Sequence, residues 1–214
     1  MPFAQTIAEG YRAQLIALRR GTSSLDRHFD TGADSLRYDR SNWTTLLYDL
    51  RNSVSSERGR VAYRAMTSRG EALWFVVSDG KKRGYHAETE CPWRAIEMAR
   101  EANRRRREIR ARWDDVRRLG REVRLGRRRF EVTLDDAAAS PLCAMGVRNF
   151  MRTIGLGRVK RAPAAVVGWM MLIDDQVGFV LYEAALRQGV LDEIAAERNE
   201  IVTRIQGESA DLPA

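Results

Sequence analysis

The stretch RVAYRAMTSRGEALWFVVSDGKKRGYHA, residues 60–87, decides how the rest of the chain is read. Its side chains alternate with a period of two, the signature of an extended strand that presents successive residues to opposite faces. Val61, Tyr63 and Ala65 alternate with Ala62, Arg64 and Met66 until Ser68-Arg69-Gly70 breaks the run. Leu73, Phe75 and Val77 alternate with Trp74 and Val76 up to Asp79-Gly80, a dipeptide that tolerates positive φ and so favours a tight hairpin. Arg83, Tyr85 and Ala87 make a third short strand. The expectation is an α+β fold, with a small three-stranded antiparallel sheet embedded among helices. If Tyr63, Phe75 and Tyr85 face a covering helix, then Arg64, Trp74 and His86 share the other face, with Lys81, Lys82 and Arg83 at the hairpin tip.

Working outward, the period changes to that of a helix. Phe3, Ile7, Tyr11, Leu15 and Leu18 recur at three-to-four spacing until Gly21, and residues 22–40 read as a polar loop. Ser41 is a good N-cap for a second helix with Trp43, Leu46, Leu47, Leu50 and Val54 on one side. Beyond the sheet, Pro92 opens one long arginine-rich helix whose Ile96, Ala99 and Ala102 can pack back on the strands. Its apolar stripe lapses over residues 104–108 and resumes at Ile109, Trp113, Val116 and Leu119.

Residues 128–134 read as another short strand, with Thr133 capping a brief helix that carries Asp135 and Asp136 in its first turn. Ser140-Pro141 starts a further helix that Gly155 and Gly157 end. Leu191, Ile194, Arg198, Ile201 and Ile205 form a final seam, so residues 184–205 are a candidate homodimer surface. The chain thus divides into N-terminal helices (1–57), a β-meander with a long basic helix (58–125) and a mostly helical remainder (126–214), which together can form one continuous domain.

The charge is unevenly spread. Residues 100–129 hold fourteen arginines and five acids, so they account for the whole net charge of +8. Only three lysines accompany thirty-four arginines, a skew that GC-rich codon usage also produces, so clustering is the better signal than arginine itself. Glu101, Glu108, Asp114 and Asp115 each have an arginine three or four residues onward, pairs worth a few tenths of a kcal/mol. Roughly ten arginines of this stretch remain without such a partner. Phosphates are an obvious counter-charge for them, an acidic protein partner is another, and a merely solvated helix is the third reading.

Catalytic and metal signals are thin. Cys91 and Cys143 are too few for a disulfide framework and suit a reducing compartment, and neither forms a zinc-type spacing with His28 or His86. No phosphate loop, dinucleotide fingerprint or metalloprotease motif occurs. A metal-dependent nuclease could gather carboxylates from the distant pairs Asp135-Asp136 and Asp174-Asp175, and changing Asp135 or Asp136 would then abolish cleavage. The most apolar run, residues 163–186, would place Asp174 and Asp175 near mid-membrane at a cost of ~2.5–3.5 kcal/mol each. It reads as protein core, and the protein as cytoplasmic with no membrane association.

A three-stranded meander followed by a packing helix, over about residues 58–103, is similar in layout to the APETALA2-type domain of plants and the arm-binding domains of phage integrases. The likeness is one of topology and carries no shared motif. It implies that strand residues read DNA, here Arg64, Lys81, Lys82 and Arg83.

The expected function is therefore a non-enzymatic nucleic-acid-binding accessory or regulatory protein, with DNA favoured over RNA and no cofactor. Its phosphate contacts would be Arg104, Arg105, Arg106, Arg107, Arg110, Arg117 and Arg118. The alternative is a protein-interaction module that docks on an acidic or nucleic-acid-handling partner.

Overall fold

The computed structural model describes residues 36–40, 44–57, 59–67, 70–78, 84–197 and 200. The expected first helix, the Ser41 cap, the Asp79-Gly80 turn, Lys81, Lys82 and Arg83, and the seam residues Arg198, Ile201 and Ile205 lie outside them. The chain mixes helix and strand in two compact units, neither continuous in sequence. The first comprises residues 1–103 and 143–157, the second residues 104–142 and 158–214.

The first unit is built on one antiparallel sheet of five strands in sequential order, not three. The strands are β1 (Leu36–Arg40), β2 (Thr45–Ser56), β3 (Arg60–Thr67), β4 (Ala72–Ser78) and β5 (Tyr85–Ala87). The meander expected from residues 60–87 is β3 to β5. Strand β2 replaces the second helix, and β1 lies in the expected polar loop. Leu46 and Leu47 are both buried because this sheet is covered on both sides, and the β2–β3 register shifts between Tyr48 and Ser53. A strand buried on both faces and interrupted by a bulge loses clean alternation, and its leucines then fall at helix-like intervals.

One face carries Leu46, Tyr48, Tyr63, Ala65, Leu73, Phe75 and Val77, packed with Met145. Met145 comes from α4 (Ala144–Thr153). The opposite face carries Ala62, Trp74, Val76, Tyr85 and Ala87 against Ala95, Ile96, Met98 and Ala99 of α1 (Pro92–Arg110). Pairing of Phe75 with His86 and of Val76 with Tyr85 corrects the expected faces. Trp74 and Tyr85 lie under α1, whereas Phe75 and His86 stack with ring centroids 5.5 Å apart on the other side.

In the second unit, α2 (Trp113–Arg124) follows α1 after a turn at residues 111–112, so the long basic helix is two helices. Arg112 leaves helical geometry at φ −113°, ψ 25°. Trp113 then packs on Phe179, with ring centroids 5.0 Å apart. Strands β6 (Glu131–Thr133) and β7 (Arg161–Pro163) pair antiparallel, and α3 (Leu134–Ala139) starts from Thr133 in a reciprocal capping box with Asp136. Helices α5 (Ala164–Met170) and α6 (Val177–Arg187) complete the core, with residues 190–197 also helical. Glycine lets these helices approach α2 closely: a Cβ at Gly168 would lie 2.6 Å from a Val123 methyl, and one at Gly178 2.9 Å from Trp113. Leu191 and Ile194 are fully buried within this unit, so the described part of the expected dimer seam is core. No helix among the described residues is long and apolar enough to cross a membrane.

Candidate nucleic-acid interface

The arginines of residues 100–129 separate into two populations. The first is engaged within the fold, by acids remote in sequence (Glu183, Glu193, Glu197 and Asp175) and by local ones (Asp115 and Glu122). Arg105 donates from Nε and Nη2 to the two carboxylate oxygens of Glu183, both at 2.8 Å. Glu183 is buried on α6, and this charge-assisted fork raises the guanidinium pKa further above its usual range. Arg128 reaches Glu122 at 2.6 Å, Glu193 at 3.0 Å and Glu197 at 2.6 Å. Arg118 meets the same Glu122 at 2.7 Å. Burial pushes the Glu122 carboxyl up, but hydrogen bonds from Arg128 and Arg118 outweigh it and hold the group below its ordinary value. Arg110 lies over the Trp113 ring at 3.9 Å and meets Asp175 at 3.4 Å. Arg112 pairs with Asp115, and Arg106 is half-buried and engaged within the fold.

The second population faces solvent. Arg104 and Arg117 are 70% and 67% exposed, each with one loose intrahelical partner, Glu108 at 3.8 Å and Asp114 at 3.9 Å. Arg107, Arg121, Arg127 and Arg129 are exposed and make no ion pair among the described residues. On α2, Arg117, Arg121 and Arg124 follow one another at four- and three-residue steps, about 6 and 4.5 Å apart along the axis. Arg117 and Arg121 are exposed, away from the buried Val116, Leu119 and Val123, and Arg124 is half-buried at the edge of the packed face. Arg124 ends this row. It donates to the Gly168 carbonyl at 3.1 Å, with its guanidinium 5.9 Å from the Trp169 ring. Trp169 is 58% exposed, so a large aromatic surface adjoins the basic row. Gly126, at φ +69°, then closes α2, since Gly126 N–H and Arg127 N–H bond back to Val123 and Glu122. Arg127 and Arg129 follow in the exposed loop.

Of the residues singled out from sequence, Arg104, Arg107 and Arg117 are thus presented to solvent. Arg105, Arg110 and Arg118 are tied to acids. Arg64 is only 3% exposed, under α1 with its guanidinium 5.2 Å from the Trp74 ring. Burial pushes its pKa down, with Glu90 opposing, and both faces of its sheet are covered. It cannot reach a groove, so the strand-reading role implied by the layout resemblance does not hold for it. Sequence reasoning missed Arg121, Arg124 and Trp169. The four-three spacing of the arginines was readable, but Trp169 sat inside an apolar run read as core. No grouping of His, Cys, Asp and Glu suited to a metal ion occurs among the described residues. Comparison with known family models, curated proteins and solved structures finds no match to this chain.

Proposed function

We propose that the protein is a non-enzymatic nucleic-acid-binding factor, with phosphates gripped by the outer row of α2 and the loop that follows it. One observation carries this reading: on α2 the exposed Arg117, held only by a loose pair with Asp114, and Arg121, with no ion pair among the described residues, lead to Arg124, which lies against the exposed Trp169. Guanidinium groups at helical spacing supply sequence-independent phosphate contacts, and an adjoining indole offers a stacking face to an unpaired base. Steering by the clustered positive field would raise the encounter rate with any polyanion.

The test is fluorescence anisotropy with labelled duplex DNA, single-stranded DNA and duplex RNA, each titrated across salt. R117E/R121E should weaken binding at least tenfold and flatten the salt dependence, by about 0.7–0.9 in log–log slope for each phosphate no longer neutralised. W169A should weaken single-strand binding by roughly 1–3 kcal/mol while sparing duplex. Binding unchanged in R117E/R121E rejects the α2 row as the contact.

A second reading has its own observation. Val166, Trp169, Leu172 and Ile173 are 40%, 58%, 63% and 58% exposed along α5 and the turn after it. An exposed Trp with aliphatic neighbours beside arginine is also the composition of a protein-binding hot spot. On that reading the protein ignores nucleic acid at low salt, and I173A matters as much as R121E for capture of an acidic partner.

A further inference from the structure

Cys143 and His86 lie far apart in the chain, and the fold of the first unit brings them together. His86, on β5, is only 6% exposed and turns its Nδ1 toward the Cys143 sulfur at 3.3 Å. Its ring is held by stacking on Phe75, with planes inclined by 19°. Cys143 is the N-cap of the ten-residue α4, where its sulfur also accepts the Gly146 N–H at 3.3 Å. As a residue, Cys143 is half-buried. We infer that Cys143 and His86 form a thiolate–imidazolium pair, making Cys143 a modification site for hydroperoxides and other small electrophiles.

Imidazole is the base that takes the thiol proton. The N–H of Gly146 and the positive end of α4 then favour negative charge on sulfur. Charged groups around the pair are Arg148 on α4, which meets Glu88 beside β5 at 2.7 Å, and Glu71, whose charge also acts on Arg148. Tyr48 and Tyr63 lie on the same sheet face, linked to His86 through Phe75. With a hydroperoxide as oxidant, the thiolate attacks the terminal oxygen. An S–O bond forms, the O–O bond breaks, and the leaving hydroxide or alkoxide takes the imidazolium proton. Sulfur is oxidised to the sulfenic acid, the peroxide is reduced to water or an alcohol, and His86 returns to its neutral form. This site belongs to the first unit and is independent of the arginine row.

Iodoacetamide labelling of the full chain, followed by peptide mass spectrometry across pH, tests the pair with the exposed Cys91 as internal reference. Near neutral pH, Cys143 should label roughly tenfold faster than Cys91 despite its lower exposure, and keep that lead on acidification. H86Q should abolish the lead without altering Cys91. After hydroperoxide treatment, dimedone should trap Cys143 and not Cys91. Equal rates at every pH, or a lead that survives in a folded H86Q, would overturn the pair. If H86Q does not fold, the wild-type pH profile decides: a Cys143 rate that only tracks Cys91 overturns it.

Discussion

Gly168 shows how narrowly the second unit is packed. A methyl group there would press on Val123 at 2.6 Å and on the Gly120 carbonyl at 3.1 Å, and neither backbone nor β-branched side chain yields easily. Gly168→Ala should therefore destabilise the protein by about 1–3 kcal/mol although Ala is the better helix former. Removing the offending methyls with Val123→Ala should recover part of that loss in a double-mutant cycle measured by denaturant unfolding. Strict additivity of the two changes would show that α5 does not approach α2 as described. The Arg105–Glu183 fork has the opposite sensitivity: Arg105→Ala strands a buried carboxylate and should cost about 1–3 kcal/mol, with little effect on nucleic-acid affinity. Nothing near Arg105 in sequence distinguishes it from Arg104 or Arg107. Glu183, its strongest partner, lies on α6, so which arginines are structural emerges only once the helices pack.

At the level of elements, strand β2 shows what local pattern hides. Leu46 and Leu47 are adjacent and both buried, Leu50 is exposed and the register shifts between Tyr48 and Ser53, so the apolar residues of β2 fall at helical intervals without the strand coiling. Where local chemistry was sufficient, it sufficed: the β3–β5 meander, the Thr133 cap and the glycine end of α4 follow from alternation, a side-chain acceptor and a positive φ. The ties between elements were not legible, and they set the pH response. Glu122 joins α2 to Arg128 of the next loop, and Asp136 joins α3 to Arg187 of α6. Burial alone would raise both carboxyls, yet hydrogen bonds from Arg128 and Arg118 to Glu122, and from Arg187 and Thr133 to Asp136, hold them below their ordinary 4.5 and 3.8. Carboxyls depressed in the folded state bind protons more tightly once unfolded, so their stabilisation is full above those values and is lost as pH falls through and below them. The Tm should accordingly drop below about pH 4.5, and E122Q/D136N should start lower at neutral pH and fall less steeply. A double variant that falls as steeply as the native chain would place the acid sensitivity elsewhere.

For the whole molecule, the question raised by a net charge of +8 is whether the proposed affinity for a polyanion would come from total charge or from its placement. The second unit offers an internal control. Arg158 and Lys160 are exposed outside the α2 row, so R158E/K160E changes net charge as much as R117E/R121E does. A diffuse field screened within about 8 Å at physiological salt cannot distinguish the two pairs strongly, whereas direct phosphate contacts can. If placement governs, R117E/R121E lowers affinity at least tenfold and reduces the salt slope, while R158E/K160E leaves the slope unchanged and affinity within about threefold. Both variants should keep the native Tm within a degree or two, since exposed substitutions shift stability by about 0.5 kcal/mol or less. Equal losses from the two pairs would make the protein a nonspecific polycation, and the alignment of Arg117, Arg121 and Arg124 beside Trp169 would then have no part in binding. The reverse set, R105Q/R118Q/R128Q, removes three positive charges but empties only positions committed to Glu183, Glu108, Glu122, Glu193 and Glu197. It should lower Tm by several degrees while leaving the salt slope intact, so that stability and binding separate along the division between paired and solvent-facing arginines.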